Sequence, residues 1–206
     1  MAFAMKLIFA PASPFARKVR ALIIELNLQD SVALVDAGAV SPVSNNGDLN
    51  SVNPLGMLPA LQLDNGDSLS DSPLICEYLN DLADGPFFPS DANRRFRTLG
   101  LQALADGMLD LLVALRYEAA FRPEQLRWQT WIDFQNEKVQ RGLDKLESSC
   151  NQFEPTPLIG EITVACALGY LDFRFADLNW RAGRPALTKW FEQIMLRESL
   201  ANTRPD

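Results

Sequence analysis

The 206-residue chain contains no histidine. That removes Ser-His-Asp triads, Cys-His dyads and the commonest metal ligand. Acid–base chemistry is left to carboxylates, hydroxyls, tyrosines, lysines or groups that a ligand brings. Cysteine is scarce as well, with Cys76, Cys150 and Cys166. An odd number without close spacing argues against a disulfide framework or a zinc site and fits a reducing compartment. Basic residues are outnumbered, 19 against 26 acidic, for a net charge of −7. Such a balance favours solubility and disfavours nucleic acid or an anionic membrane as partner. No apolar run approaches the ~20 residues of a membrane helix. Met1 to Lys6 lacks the basic region and apolar stretch of a secretory signal. Residues 1–4 read as an extended start. Together these absences predict a cytoplasmic protein.

What is present is an ordinary globular balance, 48% hydrophobic and 22% charged. The length suits one large domain or two small ones. Lys6 to Phe9 predicts a short buried strand, broken by Pro11-Ala-Ser-Pro14. Ser13 stands where a helix N-cap belongs, with Pro14 at the first helical position. Phe15, Val19, Leu22, Ile23 and Leu26 then share one helical face. Val32 to Val35 predicts a second strand, so the start of the chain reads as a right-handed βαβ unit.

The stretch from Asp36 to Asn53 is loop-like, with a helical turn near Gly47 to Val52. Asn53-Pro-Leu-Gly-Met-Leu-Pro59 reads as a turn entering a strand. Ala60 to Leu63 and Ser68 to Ser70 flank Asp64-Asn-Gly-Asp67, a hairpin signal. Asp71-Ser72-Pro73 repeats the cap-plus-proline start, with Ser72 as the candidate cap. A helical stripe of Leu74, Ile75, Tyr78, Leu79 and Leu82 follows. A linker with an apolar plug, Phe87-Phe88, occupies 84–91. Beyond it the pattern predicts helices at Ala92–Ala119, Pro123–Cys150, Thr163–Asp177 and Pro185–Arg197, with Thr163 able to cap the third. The domains are expected at 1–83 and 92–206.

A βαβ-ββα unit of about 80 residues followed by helices resembles the glutathione S-transferase superfamily. Three motifs in register carry the resemblance: Ser13-Pro-Phe-Ala-Arg-Lys-Val-Arg, Asn53-Pro-Leu-Gly-Met-Leu-Pro59 and Asp71-Ser72-Pro-Leu-Ile-Cys-Glu-Tyr-Leu. Ala165-Cys-Ala-Leu-Gly-Tyr-Leu-Asp-Phe-Arg adds a family-like core helix, and the likeness runs over essentially the whole chain. The chain looks most like the bacterial YibF-type proteins, and around Ser13 like the serine-type plant tau class.

The resemblance implies a thioredoxin-like α/β domain joined to an all-α helical bundle. It implies glutathione as co-substrate, no metal, a cytoplasmic homodimer and a detoxifying conjugation to a small hydrophobic electrophile. Ser13 would then activate the glutathione thiol. Leu58 and Pro59 resemble the family's cis-proline step, whose preceding backbone holds the cysteinyl part. Asp71 and Ser72 resemble the acidic-Ser pair that holds the γ-glutamyl end. The same site could instead serve peroxide reduction, isomerisation or dehalogenation, or bind glutathione without turnover.

Physical chemistry supplies alternatives at each position. Ser13, Ser72 and Pro59 also make sense as plain caps and a strand-entry proline. Met57 departs from relatives that carry Lys or Gln there, because Met cannot donate a hydrogen bond. Arg17, Lys18 and Arg20 form a basic cluster that reads as a solvated helix face. Cys76 and Cys166 lie in apolar stripes and read as small buried hydrophobes. The resemblance puts an electrophile site between the domains. Met108, Leu112, Arg116 and Tyr117 could line it, but their spacing fits core packing and a solvated edge equally, and the resemblance makes Asp106 a candidate for reaching the glutathione of the partner subunit.

Overall fold

The computed structural model describes residues 5–43 and 45–205. The extended start expected for residues 1–4 lies outside them. Two compact units are present. The first takes the chain up to Ala92 together with Glu198 onward, and the second is Asn93–Arg197. The sequence reading ran the helical domain to 206; the chain from Glu198 groups with the first unit instead.

The first unit is an α/β layer. Strand β1 (Met5–Phe9) pairs in parallel with β2 (Val32–Asp36), joined by helix α1 (Pro14–Glu25). After a short helix α2 (Gly47–Val52), β3 (Ala60–Gln62) lies antiparallel to β1, and β4 (Ser68–Leu69) antiparallel to β3. The sheet order is β2-β1-β3-β4, and α3 (Ser72–Leu82) follows. The expected stripe of α1 is buried through Val19, Leu22 and Ile23, that of α3 through Ile75 and Leu79. Those faces pack together and α3 also packs on β3, while Leu7 and Leu61 are buried in the sheet layer.

Both helices end the same way. The chain turns left-handed at Asn27 (φ 55°) and at Asp84 (φ 48°). Leu28 N–H then reaches the Ile23 carbonyl and Gly85 N–H the Asn80 carbonyl, at 2.9 and 2.8 Å. These bonds satisfy carbonyls that a helix end leaves open, with Asn and Asp in the place glycine usually takes. The Asn80 side chain also accepts from Phe87 N–H at 2.9 Å. It thereby ties down the plug, where Phe87 and Phe88 are buried.

The second unit holds α4 (Ala92–Phe121), α5 (Gln129–Ser149), α6 (Ile159–Arg174) and α7 (Pro185–Ile194). Two expectations change here. The helix predicted from Pro123 begins at Gln129, after a single 3-10 turn at Glu124–Leu126. Arg127 explains the break: its guanidinium donates to the Ala119 and Arg122 carbonyls beside the end of α4, holding this segment extended. The third helix begins at Ile159, not Thr163. Its cap position is the apolar Leu158, and the carboxylate of Glu161 accepts from Leu158 and Glu154 N–H at 3.1 and 3.0 Å. Thr163 sits inside the helix with its hydroxyl donating to the Ile159 carbonyl.

Glycines set the closest helix approaches. A Cβ on Gly142 of α5 would stand 2.7 Å from the Met108 sulfur, and one on Gly160 of α6 2.6 Å from the Thr98 carbonyl. Met108 and Leu112, weighed above as pocket or core, are both buried. α4 is nonetheless long and apolar enough to cross a membrane by length and composition, which corrects the expectation that no such run exists. Of that apolar stretch, 39% is buried within the structure.

Candidate functional site

The register of the sheet brings three segments to one edge. β1 runs toward Phe9, and Ile8 pairs with Ala60, the first residue of β3. β4 runs back alongside, with Leu69 opposite Leu61. The end of β1, the start of β3 and the end of β4 therefore lie side by side. Neighbouring strands are about 4.8 Å apart, so the three points span roughly 10 Å. Ser13 follows the first, Leu58-Pro59 precedes the second and Asp71-Ser72 follows the third.

Ser13 is fixed from both sides. Its N–H donates to the Ala10 carbonyl at 3.0 Å, which folds the chain back from β1. Its Oγ accepts from Ala16 N–H at 3.2 Å, and its carbonyl takes the first helical bond, from Arg17 N–H, at 2.9 Å. The side chain is thus an N-cap, half-buried at the sheet edge. Accepting one bond leaves the hydroxyl proton for a second partner. Capping and donation to a ligand are compatible at this residue.

Leu58–Pro59 is a cis peptide bond, as is Ser70–Asp71. The β1–β3 ladder stops at the Ile8–Ala60 pair, so the Leu58 backbone lies beyond it. The Leu58 side chain packs with Ile8, Leu49 and Ala60. The preceding loop is held by a residue that sequence reasoning passed over. Asn53 is buried, donates from Nδ2 to the Met57 carbonyl at 2.8 Å and accepts from Leu55 N–H at 3.1 Å. An Asn before Pro was the available signal for such a pin. Gly56 turns left-handed within the loop (φ 61°), and a Cβ there would stand 2.7 Å from Asn50 Oδ1.

At the third point the cap is Asp71, not Ser72. Asp71 Oδ1 accepts from Ser72 N–H and the Asp71 carbonyl from Ile75 N–H. Ser72 moves one place into the helix because the aspartate, one residue earlier, already serves the first amide. The Asp71 side chain is exposed. Ser72 is fully buried and its hydroxyl has no hydrogen-bond partner among the described residues. A buried hydroxyl without a partner is costly unless something outside the chain supplies one.

The electrostatics favour an anion with a cationic end. The N-termini of α1 and α3 both open at this edge, and the two helices pack on each other. Each terminus carries about half a positive charge. Neither helix has an acidic residue in its first turn. Against that field the Asp71 carboxylate is one exposed negative group suited to an ammonium.

One expectation about neighbouring residues changes. Arg17 and Lys18 are not on a solvated face: they are 2% and 0% exposed. Arg17 Nη2 donates to the Leu200 carbonyl at 3.0 Å, and the Arg20 guanidinium lies 4.7 Å over the Phe9 ring. The chain returning from Glu198 covers that flank of α1. Met57 is 62% exposed and brings only its backbone carbonyl into the loop's bonding.

The cysteines stand apart from this edge's chemistry. Cys76 and Cys166 are buried. Burial, then the charge of Glu147, pushes the Cys150 thiol up, the opposite of what a reactive thiolate needs.

Comparison with known proteins follows the same lines. The glutathione S-transferase N-terminal domain model matches residues 12–82, and the C-terminal domain model residues 129–193. The chain is 34% identical over 206 residues to the uncharacterized GST-like protein YibF of Escherichia coli K12, covering 98% of each. It is similar to the crystal structure of a glutathione transferase family member from Pseudomonas fluorescens Pf-5 with bound glutathione. That match has 44% identity, covers 98% of this chain and 99% of that one, and has a TM-score of 0.95. A second structure from that organism, with bound S-(propanoic acid)-glutathione, matches at 43% identity and TM-score 0.91, covering 98% and 100%.

Proposed function

The chain belongs to the glutathione S-transferase superfamily, and from that premise we propose that it is a glutathione transferase, converting bound glutathione to its thiolate and joining it to a small hydrophobic electrophile. The observation that carries this reading is the Ser13 hydroxyl, held by Ala16 N–H with its proton left to give. A free thiol near pKa 8.5 is mostly protonated at neutral pH. Lowering it about two units requires ~2.7 kcal/mol of preference for the thiolate. A hydrogen bond to a charged acceptor supplies roughly 1.5–3 kcal/mol. The α1 terminus adds about 0.3–1. The sum is sufficient without a protein base, in keeping with a chain that has no histidine.

Dimensions support the same ligand. Three residues of extended chain reach roughly 10 Å, the span from β1 to β4. The γ-glutamyl ammonium would meet the exposed Asp71 carboxylate. Its carboxylate would meet the α3 terminus and the unpartnered Ser72 hydroxyl. The cysteinyl backbone would pair with Leu58 before cis Pro59. The thiol proton leaves to water. The sulfur lone pair then forms an S–C bond with the electrophile, whose leaving group departs with its bonding pair. A relative that holds S-(propanoic acid)-glutathione supports a site that admits a substituted sulfur. We place the protein in the cytoplasm as a homodimer, in line with three free cysteines and the family resemblance.

One observation favours a second reading, a protein that binds glutathione without turnover. Met57 cannot donate to the glycyl carboxylate and is exposed. The deciding experiment is the ultraviolet absorbance of bound glutathione thiolate against pH, for wild type and Ser13→Ala. A lowered thiol pKa that the variant loses supports the transferase. Binding with an ordinary thiol pKa supports the second reading, and no binding sinks both.

A further inference from the structure

From Glu198 the chain forms a short helix, α8 (Glu198–Ala201), that packs on α1 within the first unit. Two consecutive residues make the attachment. Leu200 presents its carbonyl to Arg17 Nη2 at 3.0 Å, and the Ser199 hydroxyl donates to the Glu25 carboxylate. Thr203 Oγ1 donates to the Ser199 carbonyl at 2.7 Å and fixes the next turn. Arg17, Ser199, Leu200 and Thr203 are all at most 2% exposed. Arg17 and Glu25 lie eight residues apart on α1, about 12 Å along its axis. The segment therefore grips α1 near both ends.

Packing alone does not require this arrangement. Burying a guanidinium is costly, and an apolar side chain would fill the flank at lower cost. A directional bond does what an apolar contact cannot: it fixes the position of α1 along its axis. The Arg17 N–H donates to the Ser13 carbonyl at 2.9 Å, so the gripped turn is the turn that carries the Ser13 hydroxyl. We propose that residues 198–203 clamp α1 and that Arg17 is a positioning residue for Ser13, setting the distance from its hydroxyl to the ligand sulfur. The proposal rests on the reading of Ser13 as the thiol-activating group. A misplacement of about 1 Å can cost on the order of 100-fold in a reaction that depends on alignment.

The test uses the full chain with Arg17→Met, Arg17→Lys and Ser199→Ala. One readout is the pH dependence of bound glutathione's thiolate absorbance. The other is deuterium exchange of the Ala16 and Arg17 amides without ligand. Arg17→Met is expected to speed exchange and lower the thiolate fraction at neutral pH about three- to tenfold, while glutathione affinity changes less than about twofold. Arg17→Lys keeps a donor and recovers most of the loss. Ser199→Ala, which removes no buried charge, moves both readouts the same way by less, and serves if Arg17→Met does not fold. Wild-type exchange and thiolate fraction in the folded variants overturn the proposal. So does a loss of affinity in step with the loss of thiolate, the mark of general damage. If wild-type glutathione keeps an ordinary thiol pKa while exchange still quickens in the variants, the clamp stands and the transferase reading falls.

Discussion

The starts of α1 and α3 in the first unit and the start of α6 in the second solve one problem in opposite ways. Every helix begins with amides that lack internal partners. In the first unit, Ser13 and Asp71 each serve one amide from the cap position, with a proline that has none to serve at the first helical position of α1 and the second of α3. Both ends remain open at the sheet edge. In α6 the first-turn amide of Gly160 donates to Thr98 Oγ1, and Glu161, inside the helix and 3% exposed, accepts from the Leu158 and Glu154 amides that lead into it. The lesson is that capping chemistry alone does not mark a binding site. An open end beside a buried hydroxyl that has no partner among the described residues is a candidate for one, and a closed, buried end is architecture.

The comparison can be broken by substitution. Glu161→Ala should have the largest effect. It strips a buried acceptor from two amides and should cost about 2–4 kcal/mol in denaturant unfolding, with glutathione affinity little changed. A loss of affinity without a loss of stability would reverse the assignment of roles. Next comes Ser13→Ala, expected to lower kcat/KM with a model electrophile about 10- to 100-fold. Its stability cost should stay near 1 kcal/mol. Equal activity of variant and wild type would make Ser13 a cap and nothing more. Asp71→Asn keeps a capping oxygen but removes the charge. Its signature should be glutathione binding weaker by roughly tenfold in calorimetry with stability within about 0.5 kcal/mol.

The smallest effect concerns pH. Burial raises the Glu161 carboxyl above its ordinary value despite the opposing backbone bonds. The folded protein then binds this proton more tightly than the unfolded chain. The contribution is fully present below the unfolded pKa and is lost as pH rises through the folded one. Glu161→Gln should therefore flatten the fall in stability just above the ordinary carboxylate range. An unchanged slope in pH-dependent melting would assign that fall to other groups.

Much of the first unit was legible because its punctuation is local. Pro14 and Pro73 mark the helix starts, and Asn65-Gly66 marks the β3–β4 turn. The three edge segments could be named from motifs, yet their common edge follows only from strand register, which no single motif encodes. The isomer of Leu58–Pro59 is absent from sequence for the same reason. Ser72 was read as the cap because Ser and Asp are near-equal caps, and the neighbour one residue earlier prevailed. α6 hid its start because the cap position is Leu158, an apolar residue, and the acid that closes the end sits three places inside. The burial of Arg17 and Lys18 was invisible because the chain that covers α1 lies more than 180 residues away. Charge patterning reads neighbours in sequence and cannot see such a cover.

That cover has a consequence for biogenesis. The first unit is discontinuous: its last helix is encoded after the whole of Asn93–Arg197. At about 5–20 residues per second, a ribosome needs on the order of 5–20 s to cross that insertion. During this interval the strands and α1 have emerged but α8 has not. The nascent first unit must wait with one flank of α1 uncovered, while the helical unit forms entirely from chain already made. Order of synthesis and order of completion are thus inverted, and the segment translated first becomes the last to be finished.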